Sequence, residues 1–223
     1  SQAMSKRHLA AALALAATLS GCAAHAPQAH DYSAFKASNP KSILVLPPLN
    51  DSPDVNAVNG MLSQTPLPLA EAGYYVFPVA VVQQTFRQNG LDNPADIHNV
   101  KLDKLYDIFG ADAVLYLRVK QYGTSYQVLV SDTRVTAEAT LVDARNGTTL
   151  WSGSATASSA ENQSNQGLLV MLVQAAIEQI ASSVGDKSHG IAAITGQRLL
   201  AGGRFNGMLY GPRSPHYQGT IVE

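Results

Sequence analysis

KSILVL, residues Lys41–Leu46, is the stretch on which the fold turns. It is a continuous apolar run, rich in Ile and Val and closed by Pro47-Pro48. A run this short, apolar at successive positions, suits a strand with both faces buried, as in the parallel part of a sheet. Working outward, Asn50-Asp51-Ser52-Pro53 reads as a turn, with Ser52 as N-cap and Pro53 at the first helical position. A helix is expected from there to about Ala72, interrupted near Thr65-Pro66 and Pro68 and ended by Gly73. Tyr74–Pro78 (YYVFP) reads as a second short strand. Helices follow over Val79–Asn89, closed by Gly90, and over Leu102–Phe109, closed by Gly110, with a single turn capped by Asn93-Pro94 between them. Leu102, Leu105, Ile108 and Phe109 fall on one face of the last of these.

From Asp112 the hydrophobic period changes to two. Ala113, Leu115, Leu117 and Val119 alternate with Val114, Tyr116, Arg118 and Lys120. Four successive strands are expected, over 112–121, 125–131, 135–143 and 148–156. Asn146-Gly147 makes a hairpin of the last two, because both residues tolerate positive φ. A long helix over Gln166–Val184 should end at Gly185, and a last one should run from Gly190 to Leu200. The tail, with Gly202, Gly203, Gly207, Gly211, Pro212 and Pro215, should be irregular. The order is β-α-β-α-α, then an antiparallel β-meander, then helices. That is a single-domain α/β fold with a mixed sheet, packed helices and a C-terminal helical segment. The expected divisions are 1–21, 22–40, 41–186 for the α/β domain, and 187–223 for the C-terminal helix and tail packed on it.

The first divisions come from the amino-terminal chemistry. Ser1-Gln2-Ala3 precede Met4 and read as a cloning remnant. Lys6, Arg7 and His8 form a basic segment, and Leu9–Leu19 an apolar, Ala-rich one, too short for the roughly 20 residues a spanning helix needs. This is the pattern of an export signal. It ends Leu19-Ser20-Gly21-Cys22, which resembles a lipobox. The resemblance implies cleavage before Cys22, a diacylglyceryl thioether on its sulfur and an acyl chain on its new amino group. Two or more chains give stable membrane anchoring. Ala23 after the cysteine, rather than Asp, points to the outer membrane. Residues 23–40 read as a tether with a helical turn near Tyr32–Lys36, and roughly 18 flexible residues reach about 25 Å.

Cys22 is the only cysteine, so no internal disulfide and no Cys-ligated metal site is available. Without residues 1–21 the chain carries 13 Lys+Arg against 16 Asp+Glu, which is no basic footprint for nucleic acid. No HExxH, no phosphate-cradling glycine loop and no GxSxG elbow is present. His98 reads as a solvated loop residue, and Ser33-Ala34-Phe35-Lys36 as a chance SxxK within the tether. Asp51 and Asp54 read as helix-dipole partners, and Arg118, Lys120 and Glu138 as cross-strand pairs. No catalytic residue, metal site or cofactor is assigned. The feature left over is Leu168–Val173, apolar all round its helix, where covering a sheet needs only a stripe. Either the final helix and tail fold over this collar, or it meets another subunit or partner, with Leu168 and Met171 as the outward contacts.

Five segments carry a family resemblance: SILVLPPLN (Ser42–Asn50), PLAEAGYYVFPVAVV (Pro68–Val82), QNGLDNPADIH (Gln88–His98), FGADAVLY (Phe109–Tyr116) and YGPRSPHY (Tyr210–Tyr217). They resemble a family of bacterial lipoproteins of unknown function that includes a neisserial candidate surface antigen. By fold that family is similar to the TolB amino-terminal domain and to CsgG-type and LpoB-type envelope lipoproteins, which bind envelope proteins or build secretion machinery. The resemblance implies a lipid-anchored, non-enzymatic binding or assembly module with the membrane, envelope proteins or further copies of itself as partners, facing the periplasm. The alternative is a metal-independent hydrolase of cell-wall material, which would need an acid–base or nucleophile–base pair converging in one cleft.

Overall fold

The computed structural model describes residues 26–126, 131–161 and 184–218. Ser1–His30 and Asp31–Glu223 are separate compact units, and the sheet with its covering helices belongs to the second. Cys22, Leu168 and Met171 lie outside the described residues, as does the stretch 166–183 expected to be helical.

The KSILVL strand becomes β1 (Ser42–Val45). It sits inside one mixed sheet, parallel to β3 (Tyr75–Val76) on one side and to β4 (Ala113–Tyr126) on the other. Its alternation is between two cores rather than between core and water. Ile43 and Val45 enter the larger core, and Leu44 and Leu46 enter a second one on the opposite face. β4 then pairs antiparallel with β5 (Ser131–Asp143), and β5 with β6 (Thr149–Ser158), giving the order β3-β1-β4-β5-β6. The two-residue β2 (Leu49–Asn50) continues the line of β1 beyond Pro47-Pro48 and pairs with Arg118 and Val119 of β4. It thus extends the pairing of β4 past the carboxyl end of β1.

Helices cover both faces unequally. The larger core is closed by α1 (Ser33–Ser38), α2 (Ala57–Gln64), α3 (Pro66–Glu71) and α7 (Val184–Leu200). The smaller is closed by α4 (Val79–Gln88), α5 (Pro94–His98) and α6 (Leu102–Phe109). Asn93 caps α5 as expected, its side chain accepting from the Ala95 N–H at 2.8 Å. Gly110 stops α6 with φ +66°.

Several expectations are corrected. The first long helix starts at Ala57, not at Pro53 after a Ser52 cap. The Asn50 carboxamide accepts from the Ser52 N–H (2.9 Å) and hydroxyl (2.6 Å) and donates to the Asp54 carbonyl (2.9 Å). A side-chain-locked turn therefore occupies what would have been the first helical turn. Of the strand expected over 125–131, Ser125 and Tyr126 end β4 and Ser131 opens β5, while 127–130 lie outside the described residues. β4 and β5 are two long strands that run in register out to Tyr126 and Ser131, with a shift between Val119 and Gln121 and Gly123 at φ +118°. That bulge breaks the alternation that had suggested an extra element. Ile108 is 41% exposed, so α6 buries Leu105 and packs Leu102 and Phe109 without it. α7 runs through both Gly185 and Gly190, so the break expected between 185 and 190, and the boundary at 186/187, fall inside a helix. Gly190 is buried there, and packing overrides its low helix propensity. The tether also ends earlier than 40: α1 belongs to the folded unit, with Phe35 only 2% exposed in the larger core.

Candidate binding site

The irregular tail is held more tightly than its composition suggests. Gly203 donates to the Met208 carbonyl (2.9 Å) and Gly207 to that of Arg204 (2.9 Å), closing a loop whose Met208 is fully buried. Gly203 and Asn206 take positive φ (+78° and +53°), which a tight loop requires. Three aromatic side chains from three other parts of the chain donate to carbonyls of this stretch. Trp151 Nε1 reaches Asn206 (2.8 Å), the Tyr32 hydroxyl reaches Gly207 (2.6 Å) and the Tyr74 hydroxyl reaches Leu209 (2.5 Å). Burial pushes the Tyr74 phenol far above its ordinary range, with the nearby Tyr217 adding to the shift, so it stays a donor. At the tip of this pinned loop Phe205 is 53% exposed beside the exposed Arg204.

Beyond the loop, the YGPRSPHY stretch crosses the end of α3 backbone against backbone. Gly211 donates to the Ala72 carbonyl (2.7 Å) and Arg213 to that of Gly73 (3.0 Å). A Cβ on Gly73, whose φ is +101°, would lie 2.4 Å from the Ser214 nitrogen; one on Gly211 would lie 2.6 Å from the Gly73 oxygen. Only glycines fit this crossing. It gives a physical reason for the Gly in both AEAGYY and YGPRSPHY. Arg213 then lies 5.4 Å from the Tyr75 ring centroid, a cation–π distance.

The amino-terminal helix is latched to the same region. The Tyr217 hydroxyl donates to Asn39 Oδ1 (2.6 Å), and Ser38 Oγ donates to Asp143 Oδ2 (2.6 Å). Arg145 meets Asp143 through Nε (3.1 Å) and Nη2 (3.0 Å) and also donates from Nη2 to the Ser38 carbonyl (2.8 Å). Burial alone would raise the Asp143 carboxyl, but the Arg145 and Ser38 hydrogen bonds outweigh it and hold the group below its usual range. Between α1 and the tail lies a cavity of about 310 Å³, lined by Phe35, Lys36, Tyr74, Tyr210, His216 and Tyr217 among others. Its volume is at the lower end of the range for small-molecule sites.

The residues singled out from sequence fall elsewhere. His98 is not solvated: it ends α5 half-buried, 2.7 Å from the Pro47 carbonyl and edge-on to Tyr116. The carbonyl can only accept, so Nε2 carries the proton; burial lowers the imidazole's pKa, and the nearby Arg118 charge lowers it further. Asp51 is not a helix-dipole partner. It clamps the β2 loop to β4, with Arg118 Nη1 at 2.8 Å and Lys120 Nζ at 2.9 Å, and these contacts lower its pKa. Arg118 does lie opposite Glu138 in register, but its guanidinium goes to Asp51 rather than across the strands. Asp54 accepts from the Asn56 N–H (2.8 Å) just before α2. Ser33 donates its hydroxyl to Asp31 (2.6 Å), while Lys36 lines the cavity, so the SxxK match lies on a helix of the fold and not in a tether. Among the described residues no three His, Cys, Asp or Glu side chains gather as metal ligands. Phe205, Trp151 and Tyr32 lie outside the segments that carry the family resemblance, and Tyr74 lies within one of them.

The family model described as "Putative lipoprotein GNA1162-like" matches residues 30–213. The chain is 54% identical over 201 residues, 90% of its length and 94% of the relative's, to "Putative lipoprotein NMB1124/NMB1162" of Neisseria meningitidis serogroup B (strain ATCC BAA-335 / MC58). The crystal structure of lipoprotein GNA1162 from Neisseria meningitidis matches with a TM-score of 0.54 and 63% identity, covering 65% of this chain and all of that one. The carboxy-terminal domain of LpoB from Salmonella enterica matches with a TM-score of 0.39 and 21% identity over 53% of this chain and 82% of its own, a likeness too slight to carry an argument.

Proposed function

The chain belongs to the GNA1162-like family of lipoproteins, and on that premise we propose that it is a non-enzymatic binding or assembly module of the cell envelope. The lipid on Cys22 holds it at the outer membrane, with the folded unit in the periplasm; the lipobox and Ala23 support that placement. The observation that carries the reading is the pinned loop. A large apolar side chain, Phe205, stands 53% exposed on a backbone fixed by Trp151, Tyr32 and Tyr74. A pre-ordered aromatic beside an arginine loses little freedom when a partner covers it, and such residues dominate interface energetics.

The test places a photo-crosslinking amino acid at 205 in the full chain in living cells and, separately, compares co-purification of the unaltered protein and Phe205→Glu from detergent-solubilised membranes. A discrete crosslinked product is expected. Phe205→Glu should lower recovery of that same product by about tenfold or more, since an interface hot spot contributes roughly 2 kcal/mol or more, with an unchanged far-ultraviolet spectrum. No product at 205, or equal recovery by the variant, overturns the reading.

A further inference from the structure

The cavity between α1 and the tail has a chemistry that the exposed loop does not share. Its walls are aromatic, from Phe35, Tyr74, Tyr210 and Tyr217. Several of its polar groups are already occupied: the Tyr74 and Tyr217 hydroxyls are given to Leu209 and Asn39, and the Gly203 N–H to Met208. No carboxylate lines it. Lys36 lines it from the last turn of α1 and makes no salt bridge among the described residues. His216 also lines it, its ring 5.1 Å from that of Tyr210. Tyr210 is itself fixed: a Cβ on Gly203 would come within 2.4 Å of its ring and one on Gly202 within 2.7 Å, so the ring lies directly against two glycines. The wall is therefore preformed.

We propose that this cavity binds a small ligand with an apolar body, aromatic or branched aliphatic, and a single carboxylate, the body lying against Tyr210 and Tyr217 and the carboxylate meeting the Lys36 ammonium. The volume, about 310 Å³, suits a group the size of one large amino-acid residue. With no carboxylate in the lining a positive charge would find no partner there, and a polar body would lose its water to walls that are mostly aromatic. Phe205 does not line this cavity, so the two ideas fail separately.

The probe is N-acetyl-L-phenylalanine, with its amide, N-acetyl-L-phenylalaninamide, as the uncharged partner. Each is titrated into the purified full chain, following the backbone amide signals of Lys36, Asn39, Gly203 and Gln218. The expected result is a saturable shift at these amides with the acid, and binding about tenfold weaker for the amide, as loss of one charge-assisted hydrogen bond implies. Lys36→Met, which keeps the apolar stem at an exposed helical position, should reduce acid binding to the level of the amide. Equal affinity for acid and amide, no dependence on Lys36, or no saturable shift at these four amides would overturn the proposal, whatever the crosslinking at 205 shows.

Discussion

In the parallel half of the sheet, Leu44, Leu46 and Val114 are as fully buried on one face as Ile43, Val45 and Leu115 are on the other. In the meander the two faces part company. Val135, Ala137, Ala139 and Leu141 of β5 are buried, while the residues between them, Thr136, Glu138 and Thr140, look outward. Tyr116 marks the join: it packs partly against the smaller core, and its register partner Thr140 already lies beyond it. The chain connectivity explains the difference. A parallel pair needs a crossover, and here α4–α6 supply the second cover as they return the chain from β3 to β4. The β5–β6 connection is a turn, and among the described residues no crossover helix caps that face of the meander. Open-face hydroxyls instead bond one another, as Thr136 and Thr156 do at 2.8 Å.

The sharpest way to break this comparison is to cut equally into the same sheet face on either side of the join. Leu44→Ala removes a fully buried side chain beneath α4–α6 and should lower unfolding free energy by about 2–5 kcal/mol in denaturant titration. A loss under about 1 kcal/mol would mean the second core is not sealed. At the latch where α1 meets the carboxyl end of β5, Asp143→Asn should cost about 1–3 kcal/mol near pH 7. The Asp143 side chain is only 2% exposed, and its partner Arg145 would lose its carboxylate. The sign with pH follows from the lowered carboxyl. Its contribution is complete above the ordinary unfolded value, about 4, and is lost as pH falls through the lower folded value. Melting curves of the two proteins should therefore converge as pH falls below about 4; a gap as wide at pH 3 as at pH 7 would show that the charge contributes nothing. The smallest effect is expected at Thr140→Ala, on the open face, within about 0.5 kcal/mol of the unaltered protein. A loss above about 1 kcal/mol there would show that something covers that face.

Much of this difference was legible in the chain. KSILVL reads as two-sided burial because no polar residue interrupts Ile43–Leu46, and β5 reads as one-sided because Thr136, Glu138 and Thr140 do. Asn93, Gly73 and Gly110 marked helix ends by capping and positive φ, which are local properties. The site was far less legible. His98 and Asp51 were misplaced because their partners, Pro47, Arg118 and Lys120, are remote in sequence or in another element. The tail read as irregular because glycine and proline report only what a backbone is free to do.

By itself the sequence determined the periodicity of each segment, and with it the layering of a mixed sheet, as well as the lipobox that ends in Cys22 and the family to which the chain belongs. Those follow from neighbours a few residues apart: side-chain alternation, caps, and a short motif after an apolar run. Only the tertiary structure decided that α1 leaves the tether to join the core, that α7 runs through Gly185 and Gly190, and that the tail is fastened by Trp151, Tyr32 and Tyr74 around a cavity floored by aromatics. Each of these depends on a hydrogen bond or a packing contact between residues tens to more than a hundred positions apart. Such contacts come into being only when the sheet brings both ends of the chain to the same place, so no local propensity encodes them.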